Sequence, residues 1–467
     1  MTIGTTENPL RVAIIGAGPT GFYTADALLK NKEVVVEVDM FDRLPTPYGL
    51  VRDGVAPDHQ KIKSVTKAYD RTAKKDEFRF FGYVELGKDV SVADLRNYYH
   101  QIIYTYGASS DRKLGIPGED LIGSRTATEF VAWYNGHPDY RDYEFDLSQE
   151  SVAVIGVGNV AIDVARILCR THEALVETDI AEHALEALKN SKVKNVYVIG
   201  RRGPAQAAFT NTEVRELGEL VATDALVVPE EAELDALSQQ LLDEGNDHRT
   251  KKKVEIIQSF IPNTRTDKPK ALTIRFLVSP VELIGDEKGQ IKAMRLVKNE
   301  LYQTDDGTLR PRATEQFETV SVGLVFRSVG YRGLPVEGVP FNDSWGIISN
   351  DEGRVVDYET KAVVTGEYAA GWIKRGPSGI IGTNKPDAVA TVKLMLADFA
   401  AGQTLTPAHP TAPEAEAFIK QQQPQYFTYE DWLKLDEAEL AKGKEQGRPR
   451  VKFTNIEDML TAREAQK

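Results

Sequence analysis

One sequence pattern occurs twice in the chain: a β-branched run ends in a glycine-rich turn and continues as an apolar-periodic helix. The first copy spans residues 11–42 and contains Gly16, Gly18 and Gly21, and the second spans residues 151–203 with the pattern GxGxxA. A strand, turn and helix of this kind form the fingerprint of a dinucleotide-binding βαβ unit. Two copies in 467 residues predict an α/β protein with two Rossmann-like domains.

Two further segments indicate how these domains are ordered along the chain. Residues 102–108 and 324–331 combine a strand-like run with a glycine, and they lie on either side of the second copy. We therefore expect the second domain, residues 109–329, to be inserted into a discontinuous first domain made of residues 1–108 and 330–467. The C-terminal part carries spaced prolines and polar helical sequence, which predicts a polar tail packed on the surface.

The first glycine turn has the features of a complete dinucleotide site. Gly16 permits a tight turn, Gly18 lets the backbone approach a pyrophosphate, and Gly21 lets the helix pack closely on the strand. The next strand ends at Asp42, roughly 20 residues after the turn, where an acid accepts hydrogen bonds from ribose hydroxyls. Asp39, in the same strand, is the alternative acid for this role.

The second glycine turn leads to a strand that ends in two arginines, Arg201 and Arg202, and not in an acid. Guanidinium groups bind a 2′-phosphate through charge-assisted, often bidentate hydrogen bonds, which predicts a preference for NADP(H) over NAD(H). An acidic ligand in one copy and a basic ligand in the other imply two different dinucleotides. FAD in the first domain and NADP(H) in the second is the simplest pairing, with hydride passing from nicotinamide to flavin.

Composition restricts the other functions that such a chain could have. The net charge of −13 argues against non-specific binding to nucleic acid or to anionic membranes. No apolar run approaches the roughly 18 residues of a membrane span, and the N-terminus does not resemble a signal peptide, so we expect a cytoplasmic protein. The single cysteine, Cys169, excludes a dithiol redox pair and a cysteine-bound iron–sulfur cluster. The histidines show no ligand spacing, so no metal site is expected.

Several long motifs resemble those of the adrenodoxin reductase-like ferredoxin–NADP⁺ reductases, and in detail they are most similar to actinobacterial members. The motifs are residues 45–52, 54–59, 158–168, 200–204 and 371–383. The similarity runs from about residue 12 to residue 388 and is less clear in the tail. It implies a flavoenzyme that moves electrons between NADP(H) and a ferredoxin-type iron–sulfur protein, with hydride passing to FAD and single electrons passing to the ferredoxin.

The resemblance also implies site residues, position by position. Beside Gly16, Gly18 and Gly21, the FAD site would include Ala17, Asp42, Leu50, Val84, Trp372, Gly379, Ile380 and Ile381. The NADP(H) site would include Arg112, Val157, Gly158, Asn159, Val160, Arg201, Arg202, Glu213 and Gly379. Members of this family usually carry an amide side chain at position 157, so at Val157 we expect only the backbone to take part.

His59 and Glu216 are the candidates for tuning the flavin. The resemblance places a histidine and an acid of this kind near the flavin, and histidine titrates close to neutral pH. Glu216 lies three residues after Glu213, so the two acids share one helix face if this segment is helical. Hydride transfer itself needs no acid–base residue, so we expect no essential general base. A structural loop histidine is the alternative interpretation of His59.

Two further expectations concern the partner and the competing functions. Because ferredoxins are typically acidic, docking requires a local basic surface, for which Lys61, Lys63, Lys374 and Arg375 are the candidates. An NADPH-dependent flavin monooxygenase or a diaphorase would share both glycine turns and is the alternative function. The single cysteine disfavours a disulfide reductase and an electron-delivering subunit with its own clusters. A nucleotide-binding redox sensor without catalytic activity is a further alternative.

Overall fold

The computed structural model describes residues 2–465. By their internal contacts these residues divide into two units. Unit 1 contains the residues up to Val55, His59–Ser110 and the residues from Gly330 onwards, and unit 2 contains Ala56–Asp58 and Asp111–Val329. Unit 1 is therefore discontinuous in sequence. The prediction assigned residues 56–58 to the first domain, but they cluster with unit 2, because Asp58 binds arginines of that unit.

Most of the strands are short, and many of them follow the apolar, β-branched runs of the sequence. In chain order they are β1 (Leu10–Ile15), β2 (Val36–Asp42), β3 (Phe78–Gly82), β4 (Gln101–Tyr104), β5 (Ser110–Asp111), β6 (Ser124–Thr126), β7 (Ser151–Ile155), β8 (Asn195–Ile199), β9 (Thr223–Val227), β10 (Lys270–Arg275), β11 (Val278–Gly285), β12 (Ile291–Gln303), β13 (Leu309–Val320), β14 (Leu324–Arg327), β15 (Tyr331–Arg332), β16 (Phe341–Asn342), β17 (Ile347–Ile348), β18 (Asn350–Asp351), β19 (Arg354–Val356) and β20 (Val363–Ala369).

The helices include the two that follow the glycine turns. In chain order they are α1 (Pro19–Leu29), α2 (Leu50–Asp53), α3 (Gln60–Lys63), α4 (Thr66–Ala73), α5 (Val92–Arg96), α6 (Ala127–Asn135), α7 (Asn159–Cys169), α8 (His172–Val176), α9 (Glu182–Lys189), α10 (Asn211–Gly218), α11 (Pro229–Ala232), α12 (Ala236–Glu244), α13 (His248–Gln258), α14 (Trp372–Arg375), α15 (Asn384–Ala400), α16 (Ala412–Gln422), α17 (Tyr429–Glu445) and α18 (Ile456–Glu464). Among residues 2–465, no helix combines the length and the apolar character needed to cross a membrane.

The main sheet of unit 1 has the strand order β18-β19-β20-β4-β1-β2-β3. The strands from β20 to β3 are parallel, and β19 and β18 extend the sheet antiparallel at one edge. Strand β1 is buried at every position, as expected for a parallel sheet covered on both faces. The carboxyl ends of the parallel strands meet at one edge, which brings the first glycine turn next to the end of β2.

The main sheet of unit 2 has the order β6-β14-β7-β8-β10-β9, and all its strand pairs are parallel. A separate antiparallel sheet, β11-β12-β13, follows β10 in the chain. The second glycine turn lies at the carboxyl end of β7, between β14 and β8. Both units thus have the parallel, Rossmann-like arrangement that the duplicated pattern predicts.

Backbone geometry explains why the turns contain glycine. Gly16 has a φ of +107°, and a Cβ there would lie 2.6 Å from the backbone of Tyr106. Gly156 has a φ of +137°, and a Cβ there would lie 2.2 Å from the carbonyl oxygen of Ser328. At Gly21 a Cβ would lie 2.2 Å from the Gly16 carbonyl oxygen, so the helix could not approach the strand. Any other residue at these positions would force the turn open.

The C-terminal segment is not a surface tail, so the prediction from its polar sequence is wrong. Trp432, Leu435 and Met459 are buried in the same apolar core as β1 and β2. Phe427 exchanges two backbone hydrogen bonds of 2.8 Å with Gly82 at the end of β3. The buried residues are separated along the helices by charged residues, so the average composition of the segment is polar although one face belongs to the core.

Candidate functional site

The first glycine turn leaves backbone donors free at the start of α1. Gly18 is the N-cap of α1. Among the described residues, no side chain caps this helix end and a Cβ at Gly18 would meet no atom within 4 Å. The Tyr48 N–H donates to the carbonyl of Ala17 at 2.8 Å, so the loop before α2 is attached to the turn. Free N–H groups at a helix N-terminus beside open space are an arrangement that binds phosphate.

Asp42 lies beside this turn at the end of β2. Its carboxylate accepts the N–H of Ala17 at 2.8 Å and the N–H of Leu44 at 3.0 Å. Burial raises the pKa of Asp42 above its ordinary value, and these two hydrogen bonds oppose the rise. The Val84 N–H donates to the backbone carbonyl of Asp42 at 2.9 Å, which places Val84 behind the acid.

Asp39, the alternative ribose acid, is committed to the interior of unit 1. It is 1% exposed. Its carboxylate lies 2.5 Å from the guanidinium of Arg11 and 2.7 Å from that of Arg79, and it accepts the hydroxyl of Tyr99 at 2.7 Å. A carboxylate enclosed in this way cannot reach a ribose, so the geometry favours Asp42 for that role.

The Trp372 segment reaches the same edge of unit 1 from β20. Gly371 has a φ of +75°, and a Cβ there would lie 2.3 Å from Oγ1 of Thr20 in the first turn of α1. The Trp372 ring stacks on Tyr331 with centroids 5.5 Å apart, and its indole N–H donates to the Ser378 carbonyl at 3.2 Å. The segment that carries Trp372 is therefore fixed beside the first glycine turn.

The remaining FAD candidates differ in accessibility. Leu50, Gly379 and Ile380 are exposed, Ile381 is half-buried, and Val84 is buried. The accessible apolar side chains are available to cover an apolar ring, whereas Val84 contributes packing behind Asp42.

The second glycine turn repeats the open geometry in unit 2. Gly158 is the N-cap of α7. In the part of the chain that the structure describes, no side chain caps this helix end and a Cβ at Gly158 would meet no atom within 4 Å. Asn159 and Val160 form the first turn of α7. The Val157 carbonyl accepts the N–H of Ala208 at 2.8 Å, so the backbone at this position ties the turn to the segment after β8.

Arg201 and Arg202 follow β8 on a fixed backbone. Asn299 donates to the Arg201 carbonyl at 2.9 Å, and the Leu277 N–H donates to the Arg202 carbonyl at 3.2 Å. Within residues 2–465, neither guanidinium makes a hydrogen bond or an ion pair. Partial burial lowers the pKa of Arg202, and the positive charge of Arg201 lowers it further. Two unpaired cations on a fixed backbone form a candidate anion site.

Glu213 and Glu216 lie one turn apart on α10, as predicted, and both contact Arg166. The Arg166 guanidinium lies 3.0 Å from the carboxylate of Glu213 and 3.3 Å from that of Glu216. It also binds Asp58 at 2.9 Å and Asp163 at 2.7 Å. Burial raises the pKa of Glu213, although Arg166 opposes the rise. The sequence alone did not indicate this central cation. We refer to Arg166 and its four acids as the Arg166 cluster.

His59 and Arg112 occupy short connecting segments. His59 is the N-cap residue of α3, and its carbonyl accepts the N–H of Ile62 at 3.0 Å. Arg112 is exposed directly after β5, and within the described part of the chain it forms no ion pair. Roles of these two residues towards a dinucleotide stay predictions.

The structure changes the basis of the basic docking surface predicted from the sequence, which itself stays a prediction. Lys63 is buried. Lys374 and Arg375 both face the carboxylate of Asp387, at 3.0 Å and 4.0 Å. Of the four candidates, Lys61 alone is exposed and free of ion pairs within residues 2–465. Lys374 and Arg375 have a carboxylate partner within unit 1, which the charge of an isolated sequence segment does not reveal.

Comparison with known proteins identifies the relatives of this chain. A family model described as pyridine nucleotide-disulphide oxidoreductase matches residues 8–216. The NADPH-ferredoxin reductase FprA of Mycobacterium leprae is 43% identical over 456 residues, which cover 96% of this chain and 97% of that protein. The mitochondrial NADPH:adrenodoxin oxidoreductase of Arabidopsis thaliana is 39% identical over 98% of this chain and 96% of its own length.

A solved structure gives the same result. Mycobacterium tuberculosis FprA in complex with NADPH matches with a TM-score of 0.90 at 40% identity, covering 98% of this chain and 100% of that one. Identity at this level over the full length of both partners extends well beyond the two glycine turns. The chain therefore belongs to the family of the adrenodoxin reductase-like NADPH-ferredoxin reductases.

Proposed function

We propose that the protein is a ferredoxin–NADP⁺ reductase that oxidises NADPH and reduces a ferredoxin-type iron–sulfur protein. One NADPH and two oxidised ferredoxins give NADP⁺, a proton and two reduced ferredoxins. FAD, when bound, supplies the conversion between a two-electron hydride donor and one-electron acceptors. One observation carries the proposal: two open glycine turns have opposite charges beside them. These are the Asp42 carboxylate in unit 1 and, in unit 2, Arg201 and Arg202, which have no ion pair within residues 2–465.

The residues of unit 1 fit FAD. The free N–H groups at the start of α1 and the open space at Gly18 suit a pyrophosphate. The Asp42 carboxylate uses one acceptor site per oxygen for the Ala17 and Leu44 N–H groups, and a carboxylate offers about four such sites. Ribose hydroxyls can therefore donate to Asp42 without displacing the backbone. Trp372 and Ile380 would shield the isoalloxazine.

The residues of unit 2 fit NADP(H). The start of α7 and the open space at Gly158 repeat the pyrophosphate site. Arg201 and Arg202 stand where an NAD-specific unit places an acid, and among residues 2–465 they hold no anion that a 2′-phosphate would have to displace. We further propose that Arg112 and Glu213 belong to this site, and that His59 and Glu216 tune the flavin electrostatically.

The single cysteine separates this chain from the dithiol chemistry in the name of the matching family model. Cys169 is buried, and burial raises the pKa of its thiol to about 12. A disulfide reductase needs a pair of cysteines of which one is a reactive thiolate. The electrons that enter this protein must therefore leave it for an acceptor other than a disulfide formed within the chain.

A spectroscopic experiment tests the proposed function. The purified protein should be yellow, NADPH should bleach it without oxygen, and oxidised ferredoxin should restore the colour as the ferredoxin is reduced. Ferredoxins of different cluster types and an artificial dye should be compared as acceptors. Reoxidation by the dye but by none of the ferredoxins would indicate a diaphorase. NADPH oxidation that depends on an organic substrate and oxygen would indicate a monooxygenase.

Asp42→Ala is expected to weaken FAD binding roughly tenfold or more, because two ribose hydroxyls lose a charged acceptor. The measurements are the FAD content after gel filtration and the dissociation constant of FAD from the apoprotein. Asp357→Ala is the matched control, because Asp357 also accepts two backbone N–H groups but is only half-buried, directly after β19 in unit 1. FAD retention equal to that of the control would contradict the assignment of Asp42.

A further inference from the structure

Lys253 is a buried cation attached to the segment that carries Arg201 and Arg202. It lies on α13, is 8% exposed, and its ammonium group donates a hydrogen bond to the carbonyl of Ala207. An ammonium group has three N–H donors, and among residues 2–465 the Ala207 carbonyl is the one acceptor within hydrogen-bond distance. No carboxylate of the described residues forms an ion pair with Lys253.

A buried charge without a counter-charge is costly, so the surroundings of Lys253 need an explanation. Burial lowers the pKa of Lys253; Asp247 opposes this shift and the positive charge of Arg202 adds to it. Asp247 is the N-cap of α13, and its carboxylate accepts the N–H groups of Arg249 and Thr250, each at 3.1 Å. Its charge is thus committed to the helix terminus and does not pair with the ammonium group.

The segment from Arg201 to Ala207 is fixed at several points. Asn299 holds the Arg201 carbonyl, and Gln206 donates to the hydroxyl of Ser238 at 2.9 Å. Lys253 holds the far end of the segment through Ala207. Arg201 and Arg202 therefore lie on one segment fixed at several points, and Lys253 binds its far end. The charge of Arg202 contributes to the lowered pKa of Lys253.

We propose that Lys253 determines coenzyme specificity by supplying a third positive charge, beside Arg201 and Arg202, to the 2′-phosphate of NADP(H). A phosphate monoester carries close to two negative charges at neutral pH, a counter-charge that no carboxylate in the described part of the chain provides by an ion pair with Lys253. The inference rests on the proposed function, and specifically on the assignment of NADP(H) to unit 2.

The test compares ligands with and without the 2′-phosphate. Binding of 2′,5′-ADP and of 5′-AMP to the holoenzyme is measured by calorimetry, and the KM values for NADPH and NADH are measured with an artificial electron acceptor. For Lys253→Met we expect 2′,5′-ADP affinity to fall and the KM for NADPH to rise roughly tenfold or more. The values for 5′-AMP and NADH should stay within about twofold, as expected for a contact made only to the 2′-phosphate.

Two further variants make the comparison specific. Lys253→Arg keeps the charge and should recover most of the affinity for 2′,5′-ADP. Lys252→Met removes a charge from the same helix at an exposed position paired with Glu255 at 2.8 Å, and it should change none of the four values. If Lys253→Met does not fold, Lys253→Gln provides the same comparison with a polar side chain.

The outcomes separate this inference from the proposed function. Equal weakening of NADPH and NADH would overturn it, because Lys253 would then act on the pyrophosphate or only on the loop backbone. Unchanged 2′,5′-ADP binding in a folded variant would overturn it as well. If Arg201→Ala loses the preference for NADPH while Lys253→Met keeps it, the role of Lys253 is wrong and the NADP(H) site stands. If neither variant changes the preference, the NADP(H) assignment itself fails.

Discussion

Replacing Glu439 by alanine is expected to lower the free energy of unfolding by about 3–5 kcal/mol, the cost of removing one partner from a buried ion pair. Glu439 is 0% exposed on α17, and its two oxygens lie 2.5 Å and 2.8 Å from the guanidinium of Arg52. Arg450 contacts the same carboxylate at 2.9 Å. Without Glu439, the buried Arg52 loses its main counter-charge. Because Arg52 follows the loop attached to the first glycine turn, FAD should also be released at a lower urea concentration.

Urea-induced unfolding, followed by circular dichroism and flavin fluorescence, measures both effects. Glu437→Ala is the matched control, because Glu437 is an exposed acid on the same helix without an ion pair among the described residues. We expect it to change stability by less than about 0.5 kcal/mol. A similar decrease in the free energy of unfolding in the two variants would show that Glu439 contributes no more than an exposed acid of the same helix, and so does not act as a buried counter-charge.

The contribution of Glu439 should depend on pH in a defined direction. Burial raises its pKa, but the charges and hydrogen bonds of Arg52 and Arg450 outweigh burial, and the pKa lies below its ordinary value. A group of this kind stabilises the fold fully above its ordinary pKa of about 4.3, and the stabilisation is lost as the pH falls towards the lower folded value. The difference in stability between the parent and Glu439→Gln should therefore shrink on acidification below about pH 4.3.

The sequence was sufficient for the parts of the fold that depend on local backbone geometry. Gly16 and Gly156 occupy turns that admit no side chain, so the two dinucleotide units could be found from spacing and periodicity alone. The choice between Asp39 and Asp42 could not be made in this way, because both lie in one strand. It required the long-range ion pair from Arg11, which encloses Asp39.

Residues whose roles depend on distant partners were assigned wrongly or missed. Lys374 was expected to face a ferredoxin, but Asp387, from the following helix, binds it. Lys253 lies in a polar stretch without any pattern typical of a ligand site, and only its burial and its hydrogen bond to Ala207 set it apart. Trp432 lies in a segment of polar average composition, yet it is buried in the core of unit 1. Charge and polarity of a segment therefore do not determine which individual side chains are accessible.

Arg166→Met is expected to lower the free energy of unfolding by about 3–5 kcal/mol at pH 7, since it leaves buried acids without their shared cation. Arg166 is 0% exposed and binds Asp58, Asp163 and Glu213 within 3.0 Å, with Glu216 at 3.3 Å. Methionine fills much of the same volume, so the effect reports the lost charge more than a cavity. The acids of the Arg166 cluster would then repel each other in a poorly solvated environment. Thermal and urea-induced unfolding measure the loss.

Acidification should restore part of the stability of Arg166→Met. In the parent, burial raises the pKa of Glu213, Arg166 lowers it, and the charges of Glu216 and Asp58 raise it. Without Arg166 the pKa of Glu213 rises further above its ordinary value, so the folded state binds a proton more readily than the unfolded chain. Stability then increases as the pH falls through that raised pKa, and the deficit against the parent should be smaller at about pH 5 than at pH 7. Arg215→Met, an exposed position on α10, serves as the control and should show little deficit at either pH. A deficit of Arg166→Met that is constant or grows on acidification would mean that Arg166 stabilises unit 2 through packing and not as the counter-charge of these acids.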